Sequence, residues 1–245
     1  MKNPLHILAK IYGYKLVPNE EKISKDMDAD FQTIYEMCRD QTMTSLDNMY
    51  SLYASVKYIV ESGIDGDLVE CGVWKGGSAM LMAETLLLFG ENKRKIYLYD
   101  TFEGMPEPDD IDVKIRTHTS GKEMWQEKQQ SGGWAVAGKN EVRKNLEKTK
   151  YPKENFVFVK GKVEETIPRV KPQKISILRL DTDWFSSTYH ELTHLYPLLS
   201  KGGILIIDDY GSWSGSKEAT DKYFSENNTK MYLNRVDTSR LGVKS

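Results

Sequence analysis

The chain has 245 residues, 39% hydrophobic and 29% charged, with a formal net charge of −2. That size suits one large α/β domain with a buried core, the charge argues against a nucleic-acid binder, and no apolar run is long enough to span a bilayer. Cys38 and Cys71 are the two cysteines, too few for a disulfide framework, and the N-terminal MKNPLHILAKIYGYK lacks an apolar targeting core, so a soluble, cytoplasmic protein is expected.

The first forty residues are charged and mixed, with a helical stretch around DFQTIYEMCRD (30–40). In TSLDNMYSLYASVKYIVESG (44–63), Leu46, Met49, Leu52, Val56, Ile59 and Val60 recur at helical spacing, with Thr44 or Ser45 as N-cap and Gly63 as stop. From there strands and helices alternate. DLVEC (67–71) reads as a short buried strand, GGSAMLMAETLLLFG (76–90) as a helix entered through glycines, and KIYLYD (95–100) as a second strand. Residues 101–138 read as irregular and longer than an ordinary connection, which suggests a lid, a binding loop or disorder. KNEVRKNLEKT (139–149) is helical; NFVFVKG (155–161) and ISILRLD (175–181) are strands. A helix follows from about Ser186, then the strand GGILIID (202–208), the helix SGSKEATDKYFSEN (214–227) and a tail able to form a hairpin. This alternation predicts a parallel sheet covered on both faces, with ligands beyond the carboxyl ends of its strands. No repeat or linker divides the chain. The simplest organisation is one domain over 44–245, with 101–138 as lid or insert, preceded by a helical extension over 1–43.

The strand ends hold the chemistry. VECGVWKGG places Glu70 at the end of the first strand, Gly72 in the turn and Gly76 and Gly77 before the next helix. Glycines there let a ligand approach the backbone, but their spacing is not that of the dinucleotide fingerprint G-x-G-x-x-G. An acid at this turn suits a cationic amine, such as that of a methionine moiety; the alternative is a tight turn that binds nothing. Asp100 ends the second strand, where an acid commonly accepts ribose hydroxyls. Together these two residues favour S-adenosylmethionine over NAD. LRLDTDWF and IIDDYG bring Asp181, Asp183, Asp208 and Asp209 to one rim. Like charges so close need neutralising, and hard oxygen ligands favour Mg²⁺, Mn²⁺ or Ca²⁺ over zinc; otherwise some of them only cap helices.

HELTH (190–194) matches the zinc-protease pattern H-E-x-x-H. Helical spacing puts Tyr189, Leu192, Leu195 and Tyr196 on one face and His190 and His194 nearly opposite, toward solvent. His194 is the last histidine of the chain, so the third histidine of a metzincin is missing. A solvated helix face is the expected reading.

DLVECGVWKGGSAMLMA, YLYDTFEGMPEP, FVKGKVEETIP, LRLDTDWFSST and GGILIIDDYGSWSGSKEATDKYF, in that order, resemble the macrocin O-methyltransferases over roughly residues 44–225. The resemblance implies a class I methyltransferase, Rossmann-like fold that uses S-adenosylmethionine and a divalent ion, Mg²⁺ or Mn²⁺. It implies that Glu70 and Gly72, within the turn that also holds Cys71, Gly76, Gly77 and Ser78, line the methionine portion, and that Asp100 holds the ribose. Trp134 and the turn containing Lys162 and Val163 would border the adenine. Asp181, Asp208 and Asp209 would ligate the ion, Asp181 also bordering the cofactor, and Asp183 would be the general base. The acceptor would be a small-molecule glycoside or nucleotide-sugar-like compound, and the assembly a homo-oligomer whose N-terminal segments border neighbouring sites. An ordinary aspartate is a feeble base for a sugar hydroxyl, so the ion would be needed to close the pKa gap. A catechol-type methyltransferase with a phenolic acceptor and a non-catalytic cofactor-binding protein are the rival readings.

Overall fold

The computed structural model describes residues 23–245. The first 22 residues of the expected N-terminal extension lie outside that range. Helix α1 (Ala29–Cys38) and helix α2 (Leu46–Glu61) precede the first strand. Ser45, one of the two expected caps, accepts from the Asn48 N–H, and Gly63 ends the helix at φ +62°. Phe31, Tyr35 and Cys38 of α1 share one core with Leu52 of α2 and Met80, so the extension packs into the domain.

Seven strands form one sheet: β1 (Asp67–Cys71), β2 (Ile96–Asp100), β3 (Phe156–Lys160), β4 (Ile175–Leu180), β5 (Leu199–Ile207), β6 (Asn234–Val236) and β7 (Ser239–Val243). Their spatial order is β3-β2-β1-β4-β5-β7-β6. The first five are parallel; β7 runs antiparallel to β5, and β6 to β7. The tail thus forms the expected hairpin. It seals one edge of the parallel block.

Side chains alternate across the sheet with the period of two that a strand imposes. Leu68, Ile177 and Ile204 face the layer of α1, α2 and α3 (Gly77–Leu88). Val69, Cys71, Leu178 and Leu205 face the opposite layer, with α7 (Phe185–Leu195) and α8 (Ser214–Glu226). Both faces are covered, which is why β4 is buried along its whole length.

Residues 101–138 are irregular over much of their length and border a cleft. They contain helix α4 (Gly121–Gln130), which the polar composition of GKEMWQEKQQ hid. The segment is pinned by short bridges, Val113 with Ser120 and Lys114 with Trp213. Asp112, fully buried, accepts from the Phe185 N–H at 2.8 Å and the Asp109 N–H at 2.8 Å, fastening the insert to the start of α7. Helix α5 (Lys139–Leu146) follows, and the short α6 (Val163–Thr166) comes after β3.

Candidate active site

The strand order reverses between β1 and β4, and ligands of open α/β sheets bind at that point beyond the carboxyl ends. A cleft of about 740 Å³ lies there, within the range of small-molecule sites. Its lining runs from Met43 and Thr44 past the ends of β1 and β2 to Asp208 on the far side.

Glu70 and Arg179 are register partners on β1 and β4. Both point to the α2 side, and both are almost fully buried. Glu70 Oε1 accepts from Arg179 Nη1 at 2.9 Å, whereas Oε2 is buried without a partner. The same Nη1 donates to Asp181 Oδ2 at 2.6 Å, and Nη2 donates to Asp208 Oδ1 and to Thr44 Oγ1, each at 2.8 Å. One guanidinium therefore ties four residues from four parts of the chain. Burial opposes its charge, but Asp181, Asp208 and Glu70 hold it protonated. Burial likewise pushes Glu70 up to about 7, against the pull of Arg179. Sequence reasoning missed Arg179, although a charge inside the apolar run ISILRLD, two residues before Asp181, was a usable signal.

Asp181, Asp208 and Asp209 converge as the sequence suggests. One carboxylate oxygen from each lies within 4.8 Å of the others. Asp209 Oδ2 is buried and unpartnered. A set of three hard oxygen donors, one of them orphaned, fits a divalent ion of the Mg²⁺ or Mn²⁺ type. Without one, burial and mutual repulsion push Asp181 and Asp209 well above the usual carboxylate range. Asp183 sits beside this cluster in contact with Asp209, at φ +64°, a conformation few side chains adopt. Burial first and Asp181 second raise it to about 7, with Asp209 and Lys114 pulling the other way.

The glycine turn is held by close contacts within the chain. Gly72, at φ +84°, lies against the Asp181 carbonyl oxygen, and a Cβ there would collide with it. Gly77 packs on the Gln41 carbonyl carbon, 2.7 Å from where its Cβ would stand. These glycines are required by chain meeting chain. Cys71 is fully buried in the core of the opposite layer, so its side chain turns away from the cleft. Gly72 and Ser78 line the cleft. Asp100 lines it as well, but its carboxylate already accepts from the N–H groups of Val73 (2.7 Å), Trp74 (3.1 Å) and Phe102 (2.6 Å). Much of its hydrogen-bonding capacity thus goes into shaping the turn. Lys162 and Val163, at the start of α6, form another part of the wall.

Trp134 packs against Trp184 at 5.8 Å and Trp213 at 6.0 Å between ring centroids. Lys114 Nζ stands 4.4 Å from the Trp213 ring centroid. This cluster adjoins Asp183 through Trp184. Asp237 and Thr238, in the turn between β6 and β7, also reach the lining. Sequence alone gave no signal for either.

HELTH resolves against zinc. His190 and His194 lie 4.3 Å apart between ring centroids, tilted by 52°, on a half-exposed face, but Glu191 is fully buried and accepts from Thr182 Oγ1 at 2.9 Å. Among the described residues, the one group of three possible ligands is the aspartate set.

The strand order, the reversed seventh strand and the acid-ended strands at the switch point define a class I methyltransferase fold. The chain belongs to the macrocin-O-methyltransferase (TylF) family, whose sequence model matches residues 19–243. It is 35% identical over 169 residues to the 8-demethyl-8-(2,3-dimethoxy-α-L-rhamnosyl)-tetracenomycin-C 4'-O-methyltransferase of Streptomyces olivaceus, a match covering 69% of this chain and 62% of that one. The matched stretch is thus less than two thirds of that relative. It is 31% identical over 182 residues to the demethyldecarbamoylnovobiocin O-methyltransferase of Streptomyces niveus, covering 74% and 67%. The solved structure of the O-methyltransferase NovP superposes with a TM-score of 0.73 at 27% identity, over 84% of this chain and 82% of that one. No helix among the described residues is long and apolar enough to cross a membrane.

Proposed function

We propose that the protein is an S-adenosylmethionine-dependent O-methyltransferase that uses a divalent ion and methylates a hydroxyl on the sugar of a small glycoside or nucleotide sugar. The observation that carries this reading is the convergence of Asp181, Asp208 and Asp209 beside Asp183, in the same cleft as the unpartnered Oε2 of Glu70. The printed activities of the relatives, methylation of a rhamnosyl group and of a novobiocin precursor, support the acceptor class.

S-adenosylmethionine brings a methyl group already activated by its sulfonium, and a divalent ion brings positive charge that makes a hydroxyl more acidic. The protein supplies placement. Glu70 Oε2 receives the cofactor's ammonium group, and the Gly161–Glu165 turn and Asp100 border its nucleoside. Asp181, Asp208 and Asp209 would hold the ion through their carboxylates. Asp183 would accept the acceptor hydroxyl's proton as that oxygen takes the methyl group, the methyl–sulfur bond breaking and S-adenosylhomocysteine leaving. Trp134, Trp184 and Trp213, with Lys114, form the acceptor side and keep water from the reacting atoms. In this reading Trp134 serves the acceptor, not the adenine.

The test is calorimetric titration of wild type and Asp208→Ala with S-adenosylmethionine and with Mg²⁺, followed by transfer of labelled methyl to a panel of glycosides, nucleotide sugars and catechols. Cofactor binding by both proteins, Mg²⁺ binding by wild type alone, and labelling of a glycoside or nucleotide sugar are expected. A folded wild type that ignores S-adenosylmethionine sinks the reading; labelling of catechols alone moves the acceptor to phenols.

A further inference from the structure

Arg179 belongs to neither half of the cleft and touches both. Its Nη1 is divided between Glu70, at the cofactor end, and Asp181, at the ion end. Its Nη2 is divided between Asp208, again at the ion end, and the neutral hydroxyl of Thr44. The side chain is 2% exposed, so water cannot replace a partner that leaves. Three carboxylates (Glu70, Asp181 and Asp208) pair with this one buried cation, so its charge is shared among them.

We propose that Arg179 is a positioning residue that couples the two ends of the cleft, so that a divalent ion on the aspartates weakens the hold of Glu70 on the cofactor's ammonium group, and the reverse. This rests on the functional reading above and adds a linkage to it. A divalent ion on Asp181 and Asp208 takes both as acceptors and repels the guanidinium. The guanidinium then has Glu70 and Thr44 left. Its closer pairing with Glu70 neutralises the carboxylate that the ammonium group needs. Linkage makes the effect reciprocal: bound ammonium at Glu70 returns Arg179 to Asp181 and Asp208, where it competes with the ion. Arginine suits this role and lysine does not, because the rigid fork reaches partners on two sides while an ammonium is a single point.

The probe is S-adenosylhomocysteine, which keeps the ammonium group and lacks the sulfonium charge, so direct repulsion between sulfonium and ion is removed. Its affinity is measured by calorimetry with and without saturating Mn²⁺, and Mn²⁺ affinity is measured by electron paramagnetic resonance with and without saturating S-adenosylhomocysteine. Wild type should show both affinities lowered by the same factor, about fivefold or more. Arg179→Lys should bring that factor to within about twofold of unity. Should that variant not fold, Thr44→Val serves: with the neutral resting place gone, the guanidinium turns wholly to Glu70 and the factor should grow. Both ligands binding wild type independently, or Arg179→Lys or Thr44→Val leaving the factor unchanged, overturns the coupling and leaves the functional reading standing. If wild type binds neither ligand, both fail together.

Discussion

Gly72 and the carbonyl oxygen of Asp181 lie so close that no side-chain carbon fits between them. This contact joins the ends of β1 and β4, where Asp181 N–H also donates to the Cys71 carbonyl at 2.8 Å. Gly72→Ala adds a collision with backbone to a φ of +84°, and neither strand end can move without disturbing Glu70 and Asp181. A loss of about 2–4 kcal/mol is expected in urea unfolding, from overpacking and from alanine at positive φ. A loss below about 0.5 kcal/mol would show that the turn yields freely.

Glu70 gives the molecule a distinctive pH response. Its carboxyl rises from the usual 4.5 to about 7 on folding, chiefly through burial. The folded state therefore holds the proton more firmly than the unfolded chain. The resulting stability is complete below about pH 4.5 and fades as pH climbs through 7. The melting temperature of wild type relative to Glu70→Gln should fall steadily across this window. S-adenosylhomocysteine affinity should move the opposite way, rising with pH as the carboxylate forms. A pH-independent difference in melting temperature between the two proteins would contradict this.

Asp183→Asn keeps the shape of the side chain and removes its ability to take a proton. Turnover on a labelled acceptor should fall by about 10²–10⁴-fold. Cofactor affinity should stay within about twofold, because in the proposed function Glu70, and not Asp183, would meet the ammonium group. Full activity in the variant would move the base elsewhere in the cleft.

Asp112 tests whether the insert is clamped or free. Asp112→Ala leaves the N–H groups of Asp109 and Phe185 without their acceptor and should cost about 1–3 kcal/mol. Limited proteolysis should then cut within 101–138 at least several times faster than in wild type. An unchanged cleavage rate would mean that the bridges to Ser120 and Trp213 suffice alone.

The five parallel strands were legible because each is a short, largely apolar run ended by an acid or a glycine, and the acids lie at the rim of the cleft. What escaped the sequence depends on which side of the sheet a residue faces. Glu70 and Cys71 are adjacent letters, yet one turns to the cleft and the other to the far core. Arg179 looks like an interruption of a buried strand until its four partners, drawn from positions 44, 70, 181 and 208, are brought together in space. In HELTH the two histidines lie on a half-exposed face, not a fully solvated one, with His190 Nε2 buried, and Glu191 between them was passed over; it faces Thr182 and Cys71 inside. The helix in the insert was hidden for a different reason. Its sequence is almost wholly polar, so its stability comes from contacts such as the Trp125 indole donating to the Met105 carbonyl at 2.9 Å, not from an apolar stripe.

The turn between β6 and β7 reaches the cleft from the last hairpin of the sheet, outside the parallel block. Asp237 and Thr238 lie outside the register of β1 with β4, on which Glu70 and Arg179 depend, although Asp237 stands at φ +48° and the adjacent Ser239 hydroxyl donates to the Asp208 carbonyl at 2.9 Å. If the cleft takes a glycoside as proposed, exchanges at these two positions would alter acceptor preference from outside the parallel block. Saturation of these two positions is a small library of 400 sequences, the twenty amino acids at each of two sites.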